Sequence, residues 1–332
     1  MKTVELVVPE SLRLAERDRP EPGPGEVRIA VSNVGICGTD MEFYRGRRSA
    51  GYPFVLGHEC SGRVDAIGEG VASTAVGTAV TVRPNFGCGE CPDCLAGREN
   101  ICANSRGLGV TINGCLSEFI VAPERYVWPI PDGMDLETAT LIEPAAVAER
   151  AVRRAGSIAG RRVLVLGAGP IGLLAVQISA LAGAEVTVGD PLSDRRRRAL
   201  DFGAKDAFDP TSADASPSGF DVVIETAGVP EAVSGAVSSA KPGGAIVLTG
   251  IPMDPAAIAT KWVVWRELTI SGSFIYEAID FAGACGRIER GEIDVLGLLT
   301  DRFPVEQAAE AFRRAASHEG LKVLIKMREE AC

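Results

Sequence analysis

The sequence predicts a two-domain α/β chain, a β-rich barrel-like domain followed by a doubly wound parallel sheet. Three observations predict it. The 332 residues are about twice a common domain. Up to about residue 140 the chain offers short β-branched runs separated by turn residues, as in Val27–Val34, Ser61–Ile67, Ala79–Arg83 and Glu118–Val121, which is the texture of a barrel. Beyond Glu143, helix-length segments alternate with compact apolar strands, which implies parallel strands covered on both faces.

In order along the second part, Ala145–Ala155 reads as a helix and Arg162–Leu166 as a buried strand. Ile171–Leu181 is an apolar helix stopped by Gly183, and Glu185–Val188 a second strand. Further strands are expected at Asp221–Glu225, Ala245–Thr249 and Leu268–Gly272. Val305–Ala316 has an amphipathic helical pattern, and Lys322–Lys326 is a short apolar strand free to return to the first domain and make it discontinuous.

Composition excludes several classes of function. The formal net charge of −10 argues against a nucleic-acid partner, because such binding leans on Lys and Arg clustered against phosphates. The one basic run, Arg195 to Arg198, reads as the solvated face of a helix. The start, MKTVELVVPE, has no charged-then-apolar signal pattern, and no apolar run reaches membrane-spanning length. A cytoplasmic protein is expected. Nine cysteines would be unusual there as disulfides, and four of them fall within fifteen residues. That cluster points to metal.

Cys88, Cys91, Cys94 and Cys102 read C-x2-C-x2-C-x7-C. Four thiolates on a Gly/Pro-rich loop satisfy a tetrahedral zinc ion and leave no position for substrate, so the site reads as structural. Bacterial ferredoxins also use C-x2-C-x2-C runs for iron–sulfur clusters, but with Pro after the fourth cysteine. Here Ala103 follows, and zinc is favoured. A second site begins at Cys37 in GICGTD and His58 in GHEC, with Glu59 beside it and Glu143 in LIEPAA as a further ligand candidate. One thiolate, one imidazole and a carboxylate make a three-ligand set open to water or substrate, as a catalytic zinc requires. His318, the other histidine, reads as a helix-terminal surface residue.

Gly167-Ala168-Gly169-Pro170-Ile171-Gly172 fits G-x-G-x-x-G, follows the strand RRVLVL and opens the helix IGLLAVQISALAG. In that context Gly167 makes the tight turn, Gly169 admits a pyrophosphate, and Gly172 lets helix and strand pack closely. The anion then lies on a helix N-terminus. Asp190 ends the second strand, EVTVGD. A carboxylate there accepts ribose hydroxyls and repels a 2′-phosphate, which favours NAD over NADP; Arg195 argues the other way from a more distant position.

These motifs, with GHECSGRV and the terminal KVLIK, stand in the order and at the spacing of the zinc-containing medium-chain dehydrogenase/reductase family, which the whole chain resembles. The resemblance implies a GroES-like catalytic domain over 1–144 and 277–332 and an inserted Rossmann domain over 145–276. It implies a catalytic zinc on Cys37, His58 and either Glu59 or Glu143, and a structural zinc on the four clustered cysteines. Thr39 matches the hydroxyl residue that starts the proton relay. A homotetramer or dimer is expected.

Two departures bear on the substrate. Many relatives carry His three residues beyond the relay hydroxyl, where this chain has Glu42, as similar sugar dehydrogenases do. Glu118, in GCLSEF, matches a second carboxylate aimed at sugar hydroxyls. Carboxylates accept well from vicinal diols, so a sugar, sugar alcohol or (amino)cyclitol is expected, oxidised at a secondary hydroxyl to a ketone. Ion pairs with Arg45 or Arg47 are the structural alternative for both glutamates. Arg150 stands where relatives often have His, without an evident reason. Competing readings are an NADP-dependent aldehyde or ketone reductase, an L-threonine 3-dehydrogenase, and a non-catalytic dinucleotide-binding protein, the last opposed by the intact ligand set.

Overall fold

The computed structural model describes residues 1–212, 217–317 and 319–328, so His318 lies outside the described residues. The chain divides into two units, Met1–Glu143 with Val295–Cys332, and Pro144–Asp294.

The first unit is built on the ten-residue strand Glu26–Gly35, which pairs with Glu59–Ile67, Phe119–Pro123 and Lys322–Lys326, all antiparallel. The sheet continues outward through Ala79–Val82 to Val127–Pro129 on one side and through Lys322–Lys326 to Leu299–Pro304 on the other. Val27, Ile29, Val31 and Val34 are at most 1% exposed and join Leu56, Leu116 and Phe312 in one core. The last strand does return to the first part of the chain: Leu324 stands opposite Gly35. The expected helix over Val305–Ala316 is a single 3-10 turn, Val305–Gln307, followed by the helix Ala308–Ala316.

The second unit is a six-stranded, wholly parallel sheet. Its spatial order is Asp206–Phe208, Glu185–Gly189, Arg162–Leu166, Phe220–Glu225, Ala240–Leu248, Thr269–Gly272. This is the doubly wound order 3-2-1-4-5-6, with the reversal between the strands Arg162–Leu166 and Phe220–Glu225 marking where a dinucleotide lies. Val163, Leu164 and Val165 have no exposed surface, as a strand covered on both faces requires.

The second compact unit runs to Asp294, and ion pairs tie the helix Ala278–Glu289 to it. Arg150 Nη1 pairs with Glu277 Oε2 at 2.8 Å, and Arg153 reaches Asp280 Oδ1 at 2.5 Å and Glu277 at 2.6 Å. Arg287 adds a 2.8 Å pair to Glu149. Backbone groups of Asp294 exchange hydrogen bonds with the Gln177 side chain, at 2.7 and 3.1 Å. Arg150 is thus a structural cation under the start of that helix. Among the described residues, no helix is long and apolar enough to cross a membrane.

Burial alone would raise the Glu277 carboxyl, but the guanidiniums of Arg153 and Arg150 outweigh it and hold it below the ordinary range. A depressed carboxyl stabilises the fold fully above its unfolded value, about 4.3, and ceases to as pH falls past its folded value. Glu277→Gln should therefore cost about 2 kcal/mol at neutral pH. Thermal unfolding followed from about pH 6 to pH 3 should show the wild type losing more stability than the variant.

Candidate active site and nucleotide turn

The strand Glu26–Gly35 runs directly into Cys37, which caps the short helix Gly38–Tyr44. The strand Glu59–Ile67 starts opposite Gly35, so Glu59 and the preceding His58 arrive beside Cys37. The ligand atoms of Cys37, His58 and Glu59 lie within 4.8 Å of one another. His58 and Glu59 are 8% and 1% exposed. A Cβ at Gly35 would fall 2.2 Å from Glu59 Oε2, so this glycine makes room for the carboxylate.

Two residues that the motifs did not single out hold this group. Asp40, 1% exposed, accepts the Cys37 backbone N–H at 2.9 Å on one oxygen and the Gly57 N–H at 3.0 Å on the other. The second oxygen also stands 3.5 Å from His58 Nδ1, an ionic contact at the limit of a hydrogen bond. Burial alone would depress the imidazole, but Asp40, then Cys37, raise it well above the ordinary histidine range. With Nδ1 turned to Asp40, Nε2 is the ring nitrogen left to serve a metal. Lys322, 3% exposed, donates to Glu59 Oε1 at 2.5 Å and to the Ile36 carbonyl at 3.1 Å, and its charge offsets the buried carboxylate. Glu59 Oε2 accepts no hydrogen bond although it is buried and in ionic contact with Lys322. The donor set, a soft thiolate, an imidazole and a carboxylate with a lone pair to spare, fits an open zinc site.

Glu143 is also buried, at 5%, and its charge acts on Lys322, but it lies outside the tight group. Thr39 is half-buried on the short helix. Glu42, one turn on, pairs through Oε1 with Arg47 at 2.5 Å, while its buried Oε2 has no hydrogen-bond partner. Glu118 has a contact with the chain itself. It accepts the backbone N–H of Lys2 at 2.8 Å and so fastens the first strand, Lys2–Val8, to the loop before Phe119. The strand register, invisible in the local motif, sets that role.

Cys88, Cys91, Cys94 and Cys102 also converge within 4.8 Å. The sulfurs of Cys88 and Cys94 are 3.9 Å apart and those of Cys91 and Cys102 3.8 Å. Tetrahedral bonds of about 2.3 Å to zinc give edges of about 3.8 Å. Backbone N–H groups of Glu90 and Cys91 bring the Cys88 thiol down to about 7. The Cys94 thiol is pushed up to about 12: the Gly89 N–H would lower it, but burial and the other three sulfurs prevail. Such a set ionises together only around a cation.

In the second unit Gly167 has φ 96°, and a Cβ on it would meet Ala227 N at 2.9 Å. A Cβ on Gly172 would come within 1.9 Å of the Gly167 carbonyl oxygen, so the third glycine is required for packing. Gly169, the N-cap of the helix Pro170–Leu181, faces no protein atom within 4 Å of its Cβ position, which leaves room for a pyrophosphate. Pro170 opens the helix and Ile171 follows, half-buried. Asp190, 3% exposed, accepts N–H groups of Ala168 at 2.7 Å and Leu192 at 2.9 Å, which locks the turn to the second strand. Arg196, not Arg195, bends back over this strand end, donating to the Asp190 and Pro191 carbonyls at 2.7 and 2.8 Å.

Residues 23–132 match the alcohol dehydrogenase GroES-like domain family, and residues 170–290 the zinc-binding dehydrogenase family. The chain is a zinc-binding alcohol dehydrogenase by family. This dehydrogenase is 35% identical to the 2-dehydro-3-deoxy-L-galactonate 5-dehydrogenase of Pseudoalteromonas atlantica, over 99% of this chain and 100% of that one. Its fold matches a zinc-binding dehydrogenase of Sinorhizobium meliloti bound to NADP, with TM-score 0.92, 34% identity and 98% of each chain covered. It matches an Escherichia coli alcohol dehydrogenase complexed with NADH equally well, with TM-score 0.92, 33% identity and 98% and 99% covered.

Of the two residues missed, Asp40 had a signal: a carboxylate three residues after the N-cap is the capping-box position. Lys322 had none, since only long-range pairing brings it to Glu59. Asp40→Asn keeps the shape and removes the charge. We expect it to weaken zinc binding at the Cys37 site about 10–100-fold while the four-cysteine site keeps its ion. Chelator competition with zinc counted per chain checks this, and unchanged affinity in a folded variant would remove Asp40 from the site.

Proposed function

We propose that this dehydrogenase oxidises a secondary hydroxyl of a polyhydroxylated small molecule to a ketone, with NAD as hydride acceptor. The observation that carries the proposal is the contrast between the two metal-binding groups. One is closed by four thiolates. The other offers a thiolate, an imidazole and a carboxylate, which leaves a place for an alcohol oxygen.

When bound, zinc supplies the Lewis acidity that makes an alcohol proton removable near neutral pH, and the nicotinamide supplies the hydride acceptor. Cys37, His58 and Glu59 would hold the metal, with Glu143 in reserve for an exchange with Glu59. Asp40 fixes the imidazole and Lys322 restrains Glu59; both act as positioning residues. Thr39 Oγ1 takes the alcohol proton and passes it outward. Glu42 follows one turn later, its free Oε2 suited to accept from a neighbouring substrate hydroxyl or to receive the relay proton. Cys88, Cys91, Cys94 and Cys102 would hold a structural zinc. The Gly167–Gly172 turn takes the pyrophosphate, and Asp190 the adenosine ribose. The Pseudoalteromonas relative, named for a polyhydroxylated substrate, supports this class over an apolar alcohol.

NADP is the second reading. The Sinorhizobium relative binds it, and both Asp190 oxygens are already engaged by backbone donors. The carboxylate keeps lone pairs for ribose and its charge opposes a 2′-phosphate, so NAD is preferred. A homo-oligomer goes with this reading, since Val264 and Trp265 are each 72% exposed beside the edge strand Thr269–Gly272. So does a reducing, cytoplasmic setting that keeps the thiolates free.

Metal analysis should find two zinc ions per chain, and a chelator should remove one together with activity. NADH formation should appear by absorbance with polyols or sugar acids; a metal-replete enzyme inert toward all of them would refute the assignment. The wild type should use NAD at least about tenfold better than NADP in kcat/KM, a difference of about 1.4 kcal/mol. Asp190→Asn should narrow that ratio.

A further inference from the structure

The loop after the helix Gly38–Tyr44 carries a charge opposite to that of the molecule. The chain has a net charge of −10, yet residues 43–58 contain Arg45, Arg47 and Arg48 and no acidic residue. The turn is built to present them. Gly46 takes φ 74°, where a Cβ would fall 2.8 Å from the Pro9 ring. The backbone N–H groups of Arg47 and Arg48 both donate to the Glu42 carbonyl, at 2.9 and 3.1 Å. Both arginines are thereby folded back onto the end of the helix that starts at Cys37.

The three guanidiniums are not equivalent. Arg45 donates to the Ala316 carbonyl at 3.2 Å and belongs to the packing against the helix Ala308–Ala316. Arg47 is half exposed and spends one nitrogen on Glu42 Oε1. Arg48 lies 5.2 Å from the centre of the Phe43 ring, and no carboxylate among the described residues pairs with it. Stacking on an aromatic fixes the plane of a guanidinium and leaves its donors to a ligand. An exposed pair such as Arg47–Glu42 holds weakly, so Arg47 can share a second acceptor.

We propose that Arg47 and Arg48 bind a carboxylate at the far end of the substrate, so that this dehydrogenase prefers a sugar acid to a neutral polyol. The inference rests on the reading of the Cys37 site above and extends it. From Gly38 to Glu42 the helix rises about 6 Å, comparable with the carbon chain of a hexonate. Hydroxyls along that chain meet Thr39 and Glu42, and the terminal anion meets the arginines. The Arg47 charge is already matched by Glu42, so the pair offers one net positive charge. That balances a carboxylate better than a doubly charged phosphate ester. The local positive field also offsets the repulsion of an anion by an acidic protein.

The test uses the zinc-replete full chain with NAD and three probes of one carbon skeleton: L-galactonate, galactitol and galactitol 1-phosphate. L-Galactonate should have a kcat/KM at least tenfold above galactitol, and added salt should raise the KM of L-galactonate while leaving that of galactitol unchanged. Arg47→Met and Arg48→Met should each raise KM for L-galactonate about tenfold and leave KM for NAD within twofold, and Arg48→Met, which strips no partner from Glu42, should leave KM for galactitol within twofold as well. Arg48→Lys should recover part of the loss, and Arg45→Met should behave as wild type. Equal use of the acid and the neutral polyol, or a rise in KM for NAD in the arginine variants, overturns the inference while leaving the dehydrogenase reading intact. Preference for the phosphate ester overturns the carboxylate assignment. No NADH from any probe by metal-replete enzyme counts against both readings together.

Discussion

A buried carboxylate beside a metal site has to be kept charged and kept in place, and here one ion pair does both. Glu59 and Lys322 lie 263 residues apart in sequence and are almost wholly excluded from water. Removing two charges from solvent costs several kcal/mol each, recovered only by good geometry and further hydrogen bonds. Lys322 meets that condition by reaching the Ile36 carbonyl as well as Glu59. The central strand Glu26–Gly35 makes the arrangement possible, because it pairs with the strand that carries Glu59 on one edge and the strand that carries Lys322 on the other.

The two cysteine-containing groups solve different problems with related chemistry. In the loop Cys88–Cys102 the chain itself closes the tetrahedron, and the backbone N–H groups of Cys88, Cys91 and Cys94 point at sulfur from 3.4 Å. Such N–H···S contacts spread the thiolate charge and stiffen the loop. Around Cys37 the chain stops at three donors and invests in Asp40 and Lys322 behind them. Rigidity there comes from the buried charges of Asp40 and Lys322.

Much of this was legible in sequence because it is local. The four cysteines, Cys37 with Thr39, His58 with Glu59, and the glycine turn each lie within a few residues of one another, and their spacing is dictated by ligand geometry. The parallel strands were legible too, since a strand buried on both faces must be apolar throughout. What escaped depends on partners distant in the chain. Lys322 reads only as the polar first residue of the last strand until that strand is paired. The contact of Glu118 with the Lys2 backbone, 116 residues away, is likewise set by register and not by the local motif. The ion pairs that join Arg150 and Arg153 to Glu277 and Asp280 are of the same kind, since their partners stand more than 120 residues apart.

The insertion of Lys322–Lys326 between Glu26–Gly35 and Leu299–Pro304 has a consequence for synthesis. Residues 144–294 form a unit closed in sequence, so this sheet can assemble while later codons are still being read. The metal-binding unit cannot. Its central strand is covered over Glu26–Ala30 by Phe119–Pro123, but its Asn33–Gly35 end stays unpaired on that edge until residue 326 has cleared the ribosome, and for that interval Glu59 has no Lys322 to meet it. The nascent chain therefore passes through a stage with a finished parallel sheet and an unfinished barrel, during which the uncovered Asn33–Gly35 end of the central strand is a site where chaperones or neighbouring chains can pair.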